Sequence, residues 1–234
     1  MIYITGDTHG DLGRFSQSTA KKLKQNDNLI ICGDFGFIWN GSEQETKILN
    51  SIGKHKYKVF FVDGKHENFD LLNKYKIIDR FGGKIRHISG NLFHMIRGQI
   101  YTIENKNIFT FGGGESPDKD IRISSGTWWP QEMPSSTEMQ NALENLKSYN
   151  QKINYIITHE PPAFINKMMY RNHNEINQLK IFLDFISKEI EFEKWFFGCT
   201  HINRKITFKY YSIFNDIIPV EKPLGKRHFK HKNK

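Results

Sequence analysis

The stretch Ile2-Tyr3-Ile4-Thr5-Gly6-Asp7-Thr8-His9-Gly10-Asp11 decides the fold. Its first four residues are apolar or β-branched and too few for a helix, so they read as a buried strand. That strand stops at a glycine and delivers Asp7 and, two residues on, His9. The same arrangement recurs along the chain. Residues 29–32 lead into Gly33-Asp34-Phe35-Gly36, and residues 58–62 into Asp63-Gly64-Lys65-His66-Glu67. Residues 155–158 lead into His159-Glu160-Pro161, and residues 195–197 into Gly198-Cys199-Thr200-His201. In an open α/β sheet, ligands bind at the carboxyl ends of the strands, and glycine lets the backbone approach them closely.

Helical patterns lie between these runs. Ser42 with Glu45, and Ser135 with Glu138, have the spacing of a capping box. Met139, Ala142, Leu143 and Leu146 fall on one helical face, as do Ile176, Leu179, Leu183, Ile186 and Ile190. Short segments from 84 to 113, separated by Gly90-Asn91 and by residues 105–107, read as antiparallel hairpins. Strand–helix alternation interrupted by hairpins indicates an α/β domain with a mixed sheet system, with no linker dividing it.

With 234 residues, 38% of them hydrophobic, the chain can bury a core, and global disorder is excluded. No apolar run is long enough for a membrane span. The opening strand lacks the charged start of a signal peptide. The two cysteines, Cys32 and Cys199, form no disulfide framework, so a cytoplasmic location is expected. The net charge is +9, and more than half of it sits in residues 221–234, where six Lys and Arg face one Glu. The expected organisation is therefore a domain over 1–220 and a basic, mobile tail over 221–234.

Asp and His together suit Zn²⁺, Mn²⁺ or Fe. The order Asp7-x-His9, Gly33-Asp34, Gly64-Lys65-His66-Glu67, His159, then Gly198-Cys199-Thr200-His201 resembles the metallophosphoesterase (calcineurin-like phosphoesterase) superfamily, from residue 1 to about 215. The sequences Gly33-Asp34-Phe35-Gly36-Phe37-Ile38-Trp39 and Trp128-Trp129-Pro130, with the loop 116–122, are similar to its small bacterial and phage-type members. The resemblance implies a four-layer α/β/β/α sandwich with a two-metal centre between the sheets. Asp7, His9, Asp34 and His201 would bind the first ion, and Asp34 would bridge to a second ion held by His159 and by the positions of Lys65 and Cys199. His66 would contact the scissile phosphate and protonate the leaving group. Two such ions activate a water and neutralise the phosphate oxygens.

The departures concern the second ion alone, for the family pattern has Asn and His where this chain has Lys65 and Cys199. An ammonium has no lone pair for a metal. Lys65 either points inward, meeting Asp34 and a bound phosphate in place of the ion, or turns to solvent and leaves a weak site. Cys199 is either a thiolate ligand or a small buried thiol. One divalent ion (Mn, Fe or Zn) is expected rather than two. Arg122, with Lys119 and Arg97, is a candidate for phosphate contact. Asp63 and Glu67 flank His66, and either could orient its ring. Trp128-Trp129-Pro130 either packs under the capped helix or forms a lid over substrate.

Three functions follow. The first is a metal-dependent hydrolase (phosphatase) of phosphate mono- or diesters. The second is an impaired relative acting as a binding scaffold. The third is a nuclease or nucleic-acid binder using the basic tail. The complete first site and His66 favour the hydrolase.

Overall fold

The computed structural model describes residues 1–170 and 176–221. Thirteen strands form among them: β1 (Ile2–Thr5), β2 (Asn28–Ile31), β3 (Lys58–Phe61), β4 (Ile77–Arg80), β5 (Gly83–Ser89), β6 (Leu92–Met95), β7 (Ile100–Ile103), β8 (Lys106–Phe111), β9 (Lys152–Thr158), β10 (Glu191–Phe197), β11 (Arg204–Lys205), β12 (Tyr210–Ser212) and β13 (Ile218–Pro219). They make two sheets, in the orders β13-β1-β2-β3-β6-β5-β4 and β11-β12-β10-β9-β8-β7. Strands β1, β2, β3 and β6 are parallel, as are β8, β9, β10 and β12, while antiparallel strands close the edges.

The pleat sends alternate residues to opposite faces. Ile4, Ile30 and Phe60 of the first sheet meet Ile108, Tyr155 and Phe196 of the second in a core between the sheets. Their neighbours Leu29, Ile31, Val59 and Phe61 pack outward against Leu49 and Ile52 of the helix Glu43–Gly53. On the far side, Ile156, Trp195 and Phe197 pack against Ala142 and Leu146 of the helix Ser136–Ser148 and Leu183 of the helix Gln178–Glu189. The result is the expected four layers of helix, sheet, sheet and helix. Because the central strands are parallel, their carboxyl ends line one edge of both sheets, where the Asp- and His-bearing turns face each other.

Local signals hold with two differences. Ser135 and Glu138 form the reciprocal capping box. Ser42 caps its helix, but Glu45 instead accepts from the backbone N–H groups of Trp39, Asn40 and Gly41, folding the preceding loop around itself. Ile176 precedes the helix Gln178–Glu189 and is exposed, because the helix starts at the Asn177 cap. Cys32 is a core residue and both cysteines are free. No helix among the described residues is long and apolar enough to cross a membrane. The basic residues 222–234 of the expected tail lie outside the described residues, whereas Val220 still packs in the core between the sheets.

Candidate metal centre

Three turns build the centre from the first sheet and two from the second. The turn after β1 is stitched to the turn after β2, since His9 N and Gly10 N donate to the carbonyls of Asp34 and Phe35. Buried Arg14 braces the first turn by donating to the carbonyls of Gly6, Asp7 and Phe214. Two glycines are required by proximity: a Cβ at Gly64 would lie 2.0 Å from Asp34 Oδ1, and one at Gly198 2.0 Å from Asp7 Oδ1. His9, Asp34 and His201 hold φ of 46°, 42° and 52°. This left-handed backbone is uncommon outside glycine and clusters at functional sites.

These turns bring together every Asp and His of the strand-end motifs except Asp11 and Asp63. His201 Nε2 lies 3.0 Å from both His9 Nε2 and Asp7 Oδ2, and His9 Nε2 lies 3.8 Å from Asp7 Oδ2. Ligands about 2.1 Å from one tetrahedral ion are roughly 3.4 Å apart, so this triangle has the right size for a divalent cation. Asp34 does not join that triangle. It groups with His9 and His66, and separately with Asp7 and His159. Asp34 Oδ1 accepts from the backbone N–H of Lys65 at 2.7 Å and of His66 at 2.8 Å, and Oδ2 lies 2.6 Å from His66 Nδ1. Buried His159 sits between the carboxylates, with Nδ1 3.5 Å from Asp7 Oδ1 and Nε2 3.7 Å from Asp34 Oδ1.

The electrostatics follow from this crowding. Burial alone would raise the pKa of Asp34, but His159 and His66 hold it far below the carboxylate range. Burial alone would lower that of His159, but Asp34 and Asp7 push it up to about 10. For His9 burial wins and the pKa falls. Asp7 Oδ1 and His159 Nε2 are buried without a hydrogen-bond partner among the described residues. Such atoms call for an ion or water, and the donor set of carboxylates and imidazoles fits a divalent metal.

A different cluster stands beside it. Lys65 Nζ lies 3.8 Å from Glu160 Oε1, Lys180 Nζ lies 3.8 Å from Glu160 Oε2, and the Cys199 thiol donates to Glu160 Oε2 at 3.4 Å. Burial opposes the charge on Lys65, yet Glu160 foremost raises its pKa. Burial and Glu160 together push the Cys199 thiol well up, so it is protonated. Cys199 belongs to no three-ligand group among the described residues.

The calcineurin-like phosphoesterase family matches residues 1–216. The chain belongs to that family. Family membership carries metal-dependent phosphoester hydrolysis as the general activity, and it agrees with the two-sheet fold. None of the curated proteins matches. Among solved structures, a phosphopantetheinyl hydrolase from Mycobacterium tuberculosis is similar at 15% identity, over 91% of this chain and 89% of that one, with a TM-score of 0.44.

Several residues named from the sequence have other partners in this phosphoesterase. Arg122 is buried, and its guanidinium donates to the carbonyls of Thr127 and Lys65, to Ser116 Oγ and to Glu132. It ties the loop 116–132 to the turn carrying Lys65, with its donors engaged by protein acceptors. Arg97 is paired with Asp63, 2.6 Å away, and Lys119 lies over the ring of Trp128. Neither acid flanking His66 orients its ring: Asp63 accepts from His94 and Arg97, Glu67 accepts from Phe35 N and Gly36 N, and the ring is held by Asp34. Trp129 meets Trp39 and donates to Asp70, on the first-sheet side and away from the capped helix. Glu160 and Lys180 received no role from the sequence. The one available signal was the charge of Glu160 directly after His159 in a strand-end motif.

Proposed function

We propose that the chain hydrolyses a phosphate mono- or diester with water activated on a single divalent ion. The observation that carries this reading is the Lys65–Glu160–Cys199 cluster, built on the two positions where the resemblance implies second-ion ligands. Asp34 stands beside that cluster, with Oδ1 accepting the backbone N–H groups of Lys65 and His66.

Asp7, His9 and His201 would hold the ion, with Asp34 beside them. When bound, such an ion acidifies a water and neutralises charge on the phosphoryl oxygens. The chain supplies the rest. Asp34 Oδ2 holds His66 Nδ1 and leaves Nε2 as the ring atom able to hold a proton for the departing oxygen. Lys65 contributes a fixed ammonium beside the phosphate position, a point charge in place of an ion. Losing one stabiliser of transition-state charge costs about 2.7–4 kcal/mol, so slower turnover than with two ions is expected.

The test is metal content by mass spectrometry after dialysis against Mn²⁺, paired with hydrolysis of an aryl phosphate. One ion per chain is expected, with turnover lost in Asp7→Asn and in His66→Ala. Two tightly held ions would overturn the single-ion reading. A loaded protein that turns over no phosphate ester would favour the scaffold.

A further inference from the structure

Next to the centre, on the Lys65 side, lies a cavity of about 250 Å³. Lys65, Glu115, Glu160, Asn166, Lys180 and His201 line it. His201 belongs to the His9–Asp7–His201 triangle and Lys65 precedes His66 in the chain, so the cavity opens beside the centre.

Three observations define its guest. The first is charge. Two lysines and two carboxylates line the cavity; both ammonium groups lie 3.8 Å from Glu160, and Glu115 accepts from Asn177. The opposite charges offset one another, so a second anionic group on the guest finds no excess of positive charge. The second is Asn166, held on the helix Ala163–Met169 and only 9% exposed. Its side-chain amide has no hydrogen-bond partner among the described residues, although it lines the cavity. It offers both donor and acceptor, which a hydroxyl answers. The third is size. Sites for drug-sized ligands span roughly 300–1,000 Å³, and this one is smaller.

We propose that this cavity receives the leaving alcohol, and that the alcohol is small, uncharged and hydroxyl-bearing, so the substrate class is a polyol or sugar monophosphate. The inference rests on the hydrolase reading. In the reaction the bond between phosphorus and the ester oxygen breaks, and the oxygen of water forms the new bond to phosphorus. The departing alkoxide takes the proton held by His66, the proton shed by the water restores that residue, and the alcohol is released from the cavity while phosphate leaves the centre.

The experiment uses the full chain loaded with Mn²⁺. Calorimetry compares glycerol 1-phosphate with inorganic phosphate, and kinetics compare glycerol 1-phosphate, a hexose monophosphate, an aryl phosphate and a bis-aryl diester. Glycerol 1-phosphate should bind at least tenfold tighter than phosphate. Asn166→Leu should cut that ratio about tenfold and lower selectivity for the polyol ester over the aryl ester equally. Asn166→Ala, with melting followed for both variants, serves if the leucine disturbs folding. A ratio near one in the parent, a ratio unmoved by both variants, or preference for the diester would overturn the proposal. Tight polyol-phosphate binding without turnover would sink the hydrolase reading and keep the pocket; turnover without polyol preference would do the reverse.

Discussion

Replacing Glu160 by Gln removes the carboxylate on which Lys65, Lys180 and Cys199 converge. At 3.8 Å and an effective dielectric of about 20, one ammonium–carboxylate pair attracts by roughly 4 kcal/mol before solvation is counted. Lys65 and Glu160 have side chains only 17% and 7% exposed, so water replaces little of what is lost. Breaking a buried pair from one side costs about 3–5 kcal/mol. Gln keeps an acceptor for the thiol, which places the Lys65 pair alone near the lower end, about 3 kcal/mol. In a chain of this size each 1 kcal/mol moves Tm by about 2–4 °C, so Tm should fall by roughly 6–12 °C. The assay is thermal unfolding by circular dichroism in a chelator, so that metal binding does not mask the change. Lys65→Met in both backgrounds completes a double-mutant cycle, with a coupling of at least about 1 kcal/mol expected. A Tm change under about 2 °C, or strict additivity with Lys65→Met, would refute the view that Glu160 anchors a built-in cation.

Two further outcomes are expected. Arg122→Met strands the buried Glu132 carboxylate and should cost about 3–5 kcal/mol in urea unfolding. Affinity for inorganic phosphate, measured by calorimetry, should then move less than about threefold; a tenfold loss would restore Arg122 as a direct phosphate contact. Burial alone would raise the pKa of Asp63, but Arg97 and His94 hold it well below the ordinary carboxylate value. A depressed folded-state pKa stabilises above the unfolded value of about 3.9, and that stability is lost as pH falls towards the folded value. Asp63→Asn should therefore be less stable than the parent at pH 7, with the gap closing below about pH 4. A gap that does not narrow at all between pH 7 and pH 3 in urea titrations would contradict this.

Much of the fold was legible because its signals are local. The run Ile2–Thr5 and its counterparts alternate faces with period two, and each ends at the turn residues needed to expose a ligand. Glycine at 64 and 198 was readable as a sign of close approach, and the structure identifies the approached atoms as the carboxylates of Asp34 and Asp7. The roles of Asp63, Arg97 and Arg122 were not legible. Each is a charged residue near a motif, and nothing local says whether such a group faces substrate or a buried counterion. Arg122 meets the Lys65 carbonyl, and Arg97 meets Asp63, only because the loops cross at the sheet edge.

The sequence by itself determined the Asp and His candidates at the strand ends, the family, and the two positions, Lys65 and Cys199, that depart from the motif pattern it resembles. It left open which way Lys65 points, because a four-carbon stem with a terminal charge goes to the strongest field within reach, and no local pattern encodes that field. Tertiary structure decided it. The carboxyl edge of the second sheet brings Glu160 to one side of the ammonium, and the helix Gln178–Glu189 brings Lys180 to the other side of the same carboxylate. A low-dielectric pocket then makes that arrangement costly to undo.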